Sequence, residues 1–153
     1  MLLVDRYAKR IFNDRYGLRS KTADLIHKFA YENKIDPHLL LSLFYVEDYY
    51  RPTWLRLIEY SLYKMGILKN PTIGPFQIRL ANLVRKRKKE NIAESSLFYI
   101  HGLIKKSGVD KNQDKVNFIK LGKLYNSDRT YGEVIYKIWL MHKKMQKNHE
   151  KHK

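Results

Sequence analysis

The stretch Asp36-Pro37-His38-Leu39-Leu40-Leu41-Ser42-Leu43-Phe44-Tyr45-Val46-Glu47-Asp48 decides how the chain is read. An aspartate followed by proline is a strong helix start: the carboxylate accepts hydrogen bonds from the first free amides, and proline fits the first helical position. Leu39, Leu40, Leu41, Leu43, Phe44, Tyr45 and Val46 cover more than one face of the resulting helix, so it is expected to be central and buried. Glu47 then emerges at its C-terminal end. Apolar neighbours and the negative end of the helix dipole both disfavour a charged carboxylate, so the Glu47 pKa is expected to rise toward neutrality, as a general acid requires.

Working outward, helical spacing predicts a short helix over Met1 to Tyr16 and another carrying Leu25, Ile26, Phe29 and Ala30, capped by Ser20 or Thr22 and closing near Asn33. Arg51-Pro52 breaks the central helix, and Thr53 begins the next, which runs through Trp54, Leu57, Ile58, Leu62 and Met65 to Gly66. Asn70 to Pro75 reads as a loop, and Phe76 to Arg85 as resumed helix ending in the basic run Arg85 to Lys89. Further helices are expected from Ala93 to Lys106, Asp114 to Tyr125 and Tyr131 to Lys147, with a frayed basic tail over 146–153, polar from Asn148 on. No period-two strand is evident. The expected architecture is mostly α, a single domain over 1–153.

With 44% hydrophobic and 13% aromatic residues the chain is too apolar for disorder, and only 7 glycines and 4 prolines favour long elements joined by few turns. Lys and Arg outnumber Asp and Glu by 31 to 15, so the surface seeks a polyanion, whether nucleic acid, anionic lipid or a cell-wall polymer. The absence of cysteine excludes disulfides and thiolate metal sites. Asp5 and Arg6 interrupt what would be the apolar part of a signal peptide, and no stretch is apolar enough to span a membrane.

Three stretches carry the chemistry: Leu41-Ser42-Leu43-Phe44-Tyr45-Val46-Glu47-Asp48, Thr72-Ile73-Gly74-Pro75-Phe76-Gln77-Ile78 and Leu121-Gly122-Lys123-Leu124-Tyr125-Asn126. In that order they resemble the lytic transglycosylase and goose-type lysozyme-like family, in which a glutamate ends a buried helix and is followed by a Gly-x-x-Gln segment and a Tyr-Asn pair. The resemblance spans Asp36 to Tyr136. It departs from the family pattern at Asp48, where serine is usual, and in the helical stretch from Trp54 to Met65 that separates the first two motifs.

The resemblance implies a lysozyme-like fold with Glu47 as acid and base on the β-1,4 bond between N-acetylmuramic acid and N-acetylglucosamine. Gly74, Pro75, Phe76, Gln77 and Ile78 would line the saccharide groove, and Tyr125 and Asn126 would face Glu47 from a later helix. Glycosidases that use water normally pair two carboxylates. Asp48 is adjacent in sequence and points about 100° away around a helix, while Glu59, beside Arg56 and Tyr60, suits a solvated or ion-paired position equally well. A lone acid favours the transglycosylase route, giving 1,6-anhydromuramoyl ends, with a hydrolytic muramidase as the alternative. The implied partner is the peptidoglycan glycan strand, met by a monomer in the periplasm or outside the cell, with anionic cell-wall polymers as a second partner and no cofactor or metal.

Plainer readings stand beside these. Glu47 can pair with Arg51 four residues on, Gln77 can be a surface residue starting a helix, and Tyr125-Asn126 can be a helix end. Arg85 to Lys89 reads as a solvated helix end; with Arg79 it could instead make the chain a basic helical nucleic-acid-binding protein. His142, His149 and His152, spaced by seven and three, could suggest a metal site, yet they lie on a polar, fraying tail with no nearby carboxylate but Glu150, and Trp139 belongs to an amphipathic core helix.

Overall fold

In the computed structural model, which describes residues 18–50, 53–73, 76–84 and 92–151, the elements in chain order are α1 (Leu18–Asn33), α2 (Pro37–Tyr50), α3 (Thr53–Lys64), β1 (Thr72–Ile73), β2 (Ile78–Arg79), α4 (Leu80–Val84), α5 (Ile92–Ser107), α6 (Lys115–Asn126) and α7 (Arg129–Lys151). The protein is mostly helical, with one short antiparallel hairpin among the described residues. The helix expected over Met1 to Tyr16 and the basic run Arg85 to Lys89 lie outside those residues.

The helix boundaries follow from local chemistry. The Asp36 carboxylate accepts from the His38 amide at 2.9 Å and Pro37 opens α2, as the sequence requires. Ser20 and Thr22 lie within α1, which is described from Leu18 on, instead of capping it; both are tolerated in a helix at small cost. Its far end closes one residue beyond Asn33: Lys34 adopts φ 54°, and the Ile35 amide reaches back to the Ala30 carbonyl at 2.9 Å. α3 closes the same way at Gly66, φ 75°, with the Ile67 amide on the Leu62 carbonyl at 3.0 Å. The Asp114 side chain caps α6 through the Asn117 amide at 2.8 Å, and Asp128 caps α7 through the Thr130 amide at 2.8 Å. α7 continues to Lys151, past the expected end at Lys147, with Gln146 donating to Glu150 at 3.1 Å along its outer face.

Two compact units result, one formed by residues up to Leu43 together with Leu103–Lys153, the other by Phe44–Gly102. In the first, Ile26, Leu39, Leu40, Ile104, Phe118, Leu121, Ile135 and Ile138 are fully or almost fully buried. α6 and α7 cross where two glycines meet: a Cβ on Gly122 would fall 2.3 Å from the Gly132 amide nitrogen, and one on Gly132 would fall 2.4 Å from the Phe118 carbonyl oxygen. No larger residue fits either place without moving backbone. In the second unit the buried set is Phe44, Val46, Phe76, Ile78, Leu83, Leu97 and Ile100.

Candidate active site around Glu47 and the hairpin

Glu47 belongs to the last turn of α2, behind Phe44 and Val46, and is only 7% exposed. Phe44 and Glu47, three residues apart, share one side of the helix. The ring of Phe76, at the hairpin turn, meets the ring of Phe44 edge-on with centroids 6.1 Å apart. That contact seats the turn against the helix one turn before Glu47.

The hairpin itself differs from the sequence reading. Phe76 to Arg85 is not continuous helix: Phe76 and Gln77 form a turn, Ile78–Arg79 pairs with Thr72–Ile73 in the register Ile73 to Ile78 and Thr72 to Arg79, and helix resumes only at Leu80. The cause is Gln77, whose φ of 49° is left-handed and incompatible with a continuing right-handed helix. Two-residue strands are too short to leave an alternating pattern, which is why the sequence reads as loop and helix.

Gln77 is buried, 7% exposed, and so is not the surface residue of the plainer reading. The Thr72 hydroxyl oxygen lies 3.1 Å from a Glu59 carboxylate oxygen and 3.1 Å from the Gln77 side-chain oxygen position. A hydroxyl has one proton to give, and the carboxylate is the stronger acceptor. The Thr72 hydroxyl is thus the donor placed between two acceptors, the Glu59 carboxylate and the Gln77 side-chain oxygen. Asn70 fastens the other side, accepting from the Ala81 amide at the start of α4 at 3.0 Å. Glu59, which the sequence left undecided, is therefore joined to Gln77 through Thr72. Its partner lies 13 residues along the chain, so only the fold reveals it.

Of the residues expected to line a groove, Phe76, Gln77 and Ile78 are buried in the same unit as Glu47, and Gly74 and Pro75 lie outside the described residues. Arg51, the plainer partner for Glu47, is also outside them. Tyr125 and Asn126 belong to the other unit. There Tyr125 stacks on Tyr131 at 5.4 Å with planes 10° apart, and Asn126 is the exposed last residue of α6. The left-handed residue closing that helix is Ser127, φ 56°, its amide on the Lys123 carbonyl at 3.0 Å.

The first unit holds a second buried carboxylate that sequence reasoning saw only as a cap. Asp36, its side chain 9% exposed, accepts from Trp139 Nε1 at 2.9 Å, Gln113 Nε2 at 3.1 Å and Lys143 Nζ at 2.9 Å. Burial pushes its pKa up, but the hydrogen bonds from Trp139, Lys143 and the His38 amide together outweigh it, leaving the carboxyl below its ordinary value. His142 is buried and stacked on His38 at 5.6 Å, not displayed on a polar tail. Burial, helped by the neighbouring His38 and opposed by Asp36, holds the His142 pKa down at about 4. The physical reason is that α7 remains amphipathic as far as His142, so the imidazole faces inward.

Among the described residues no group of three His, Asp or Glu side chains could hold a metal ion, and no helix is long and apolar enough to cross a membrane. Compared with family models, curated proteins and solved structures, the chain matches none.

Proposed function

We propose that this protein cleaves peptidoglycan as a lytic transglycosylase of lysozyme-like fold, with Glu47 as its general acid and base. The observation that carries the reading is a glutamate buried at the end of an apolar helix, with a buried Phe76-Gln77 turn seated through Phe76 on the same helix one turn earlier. A neutral Glu47 would give its proton to the glycosidic oxygen as the C1–O4 bond of the muramic residue breaks, with that sugar's acetamido oxygen bonding to C1. The carboxylate left behind would take the proton of the 6-hydroxyl as O6 displaces the acetamido group, closing a 1,6-anhydro ring without water.

Gln77 would offer its amide to sugar hydroxyls or to the acetamido group, held in place by Thr72 and Glu59. This gives Glu59 a positioning role. Tyr125 and Asn126 enter the reading through the order of the motifs alone. Digestion of purified cell walls followed by mass spectrometry tests it: anhydro ends are expected, and reducing ends carrying added water would assign hydrolysis instead.

A further inference from the structure

α3 turns its most apolar side outward. Trp54, Leu57, Ile58 and Met65 recur at spacings of three, one and seven, which puts them on one stripe of a helix, and they are exposed, as is Ile67 just beyond. Trp54 is 63%, Leu57 61%, Met65 63% and Ile67 67% exposed, whereas Leu55, Glu59 and Leu62 on the other side are half-buried. Most of the large hydrophobic side chains that are exposed among the described residues fall between Tyr50 and Ile67. Scattered exposed leucines need no explanation; a contiguous stripe of this size marks a surface that is covered in use.

Charge says what covers it. From Arg51 to Arg79 the sequence holds five cationic residues, Arg51, Arg56, Lys64, Lys69 and Arg79, against the single acid Glu59, which is engaged by Thr72. Lys64 and Lys69 are exposed, and the Lys64 ammonium lies 5.0 Å from the centre of the Tyr60 ring. An apolar stripe with tryptophan at one end, tyrosines at its flank and lysines beside it has the composition of a helix lying in a lipid interface: alkyl and indole groups enter the acyl boundary while ammonium groups stay among anionic headgroups. A second copy of the chain is disfavoured, because it would bring another +16 molecule against the same basic rim.

We propose that the outward face of α3 docks this protein on the surface of an anionic lipid bilayer, without spanning it. The proposal does not depend on the cleavage reading. The test is binding of the full chain to vesicles of phosphatidylglycerol mixed with phosphatidylcholine, read by co-sedimentation and by tryptophan fluorescence. Trp139 is buried and hydrogen-bonded to Asp36, so a blue shift on vesicle addition reports Trp54.

Binding is expected to weaken at high salt and on pure phosphatidylcholine, and to fall about tenfold or more in Leu57→Glu/Met65→Glu, since two apolar insertions become charges. Brominated lipid should quench Trp54 in the unsubstituted protein, a measurement that decides the matter even if the double variant misfolds. Absence of binding, or salt-sensitive binding unchanged by the substitutions and unquenched by brominated lipid, would overturn the proposal. So would a dimer without vesicle binding that Leu57→Glu/Met65→Glu converts to monomer, which would assign the face to a second copy.

Discussion

In the unit containing Asp36, a carboxylate is the hub, and indole, amide and ammonium groups from Gln113, Trp139 and Lys143 turn inward to meet it. In the unit from Phe44 to Gly102, a carboxylate also ends up buried, but the apolar side chains of α3 point to solvent and a hairpin with a left-handed glutamine sits against the helix that carries the acid. Asp36 opens a helix and gathers donors from two later parts of the chain; Glu47 closes the same helix, beside a turn whose backbone is left-handed at Gln77. The contrast teaches that burial alone does not assign a role to an acid, and that the backbone around it has to be read as well.

The largest effect that could break this comparison belongs to Glu47. Glu47→Gln is expected to lower the rate of wall digestion about a thousandfold, or about 4 kcal/mol, while far-ultraviolet circular dichroism stays unchanged. Activity retained in that variant would remove Glu47 from the mechanism. Asp36→Ala should do the reverse, costing about 3 kcal/mol of stability in urea titration because Lys143 and the Trp139 N–H lose a buried acceptor.

The acid sensitivity of the first unit sharpens the same contrast. His142 takes up a proton in the unfolded chain near pH 6.5 but in the folded protein only near pH 4, so its neutral form favours folding above that window. Between those values the unfolded state binds the extra proton, and stability should fall by about 3 kcal/mol as the pH drops. Asp36, lowered from 3.8, adds a further loss only below that pH. His142→Leu should flatten the upper part of the profile. A slope unchanged in His142→Leu would contradict the assignment.

Smaller effects probe the hairpin. Thr72→Val keeps the shape and removes the hydroxyl between Glu59 and Gln77, so it should reduce turnover about tenfold through one lost hydrogen-bond relay, with little change in melting temperature. Gln77→Gly should relieve the left-handed backbone at φ 49° and raise stability by about 1 kcal/mol while reducing activity. Lower stability in Gln77→Gly would mean that the buried amide outweighs the backbone cost.

Much of the helical framework is legible in the sequence because its signals are local. Asp36-Pro37, Thr53, Gly66, Gly108 and Asp114 each mark a boundary with chemistry that acts within a few residues, and α2, α3, α5 and α6 start or stop within about two residues of it. What escapes is what depends on distant partners. The hairpin hides because its strands are two residues long and its turn is set by Gln77, a residue type with no special preference for left-handed backbone. The bond from Trp139 to Asp36 joins residues 103 positions apart, and His142 stacks on His38 from a different helix. For the candidate site, the helix carrying Glu47 is readable in advance, whereas the Glu59-Thr72-Gln77 chain is not.

The meeting of Gly122 and Gly132 constrains the chain in length as well as in composition. Because each glycine sits against the other helix's backbone, a residue added between Gly122 and the Ser127 turn would have to rotate one glycine out of the crossing and bring a side chain in. Insertions and deletions should therefore be excluded from the second half of α6 and the turn that follows it, so that constancy of length among related chains would trace where these two helices touch.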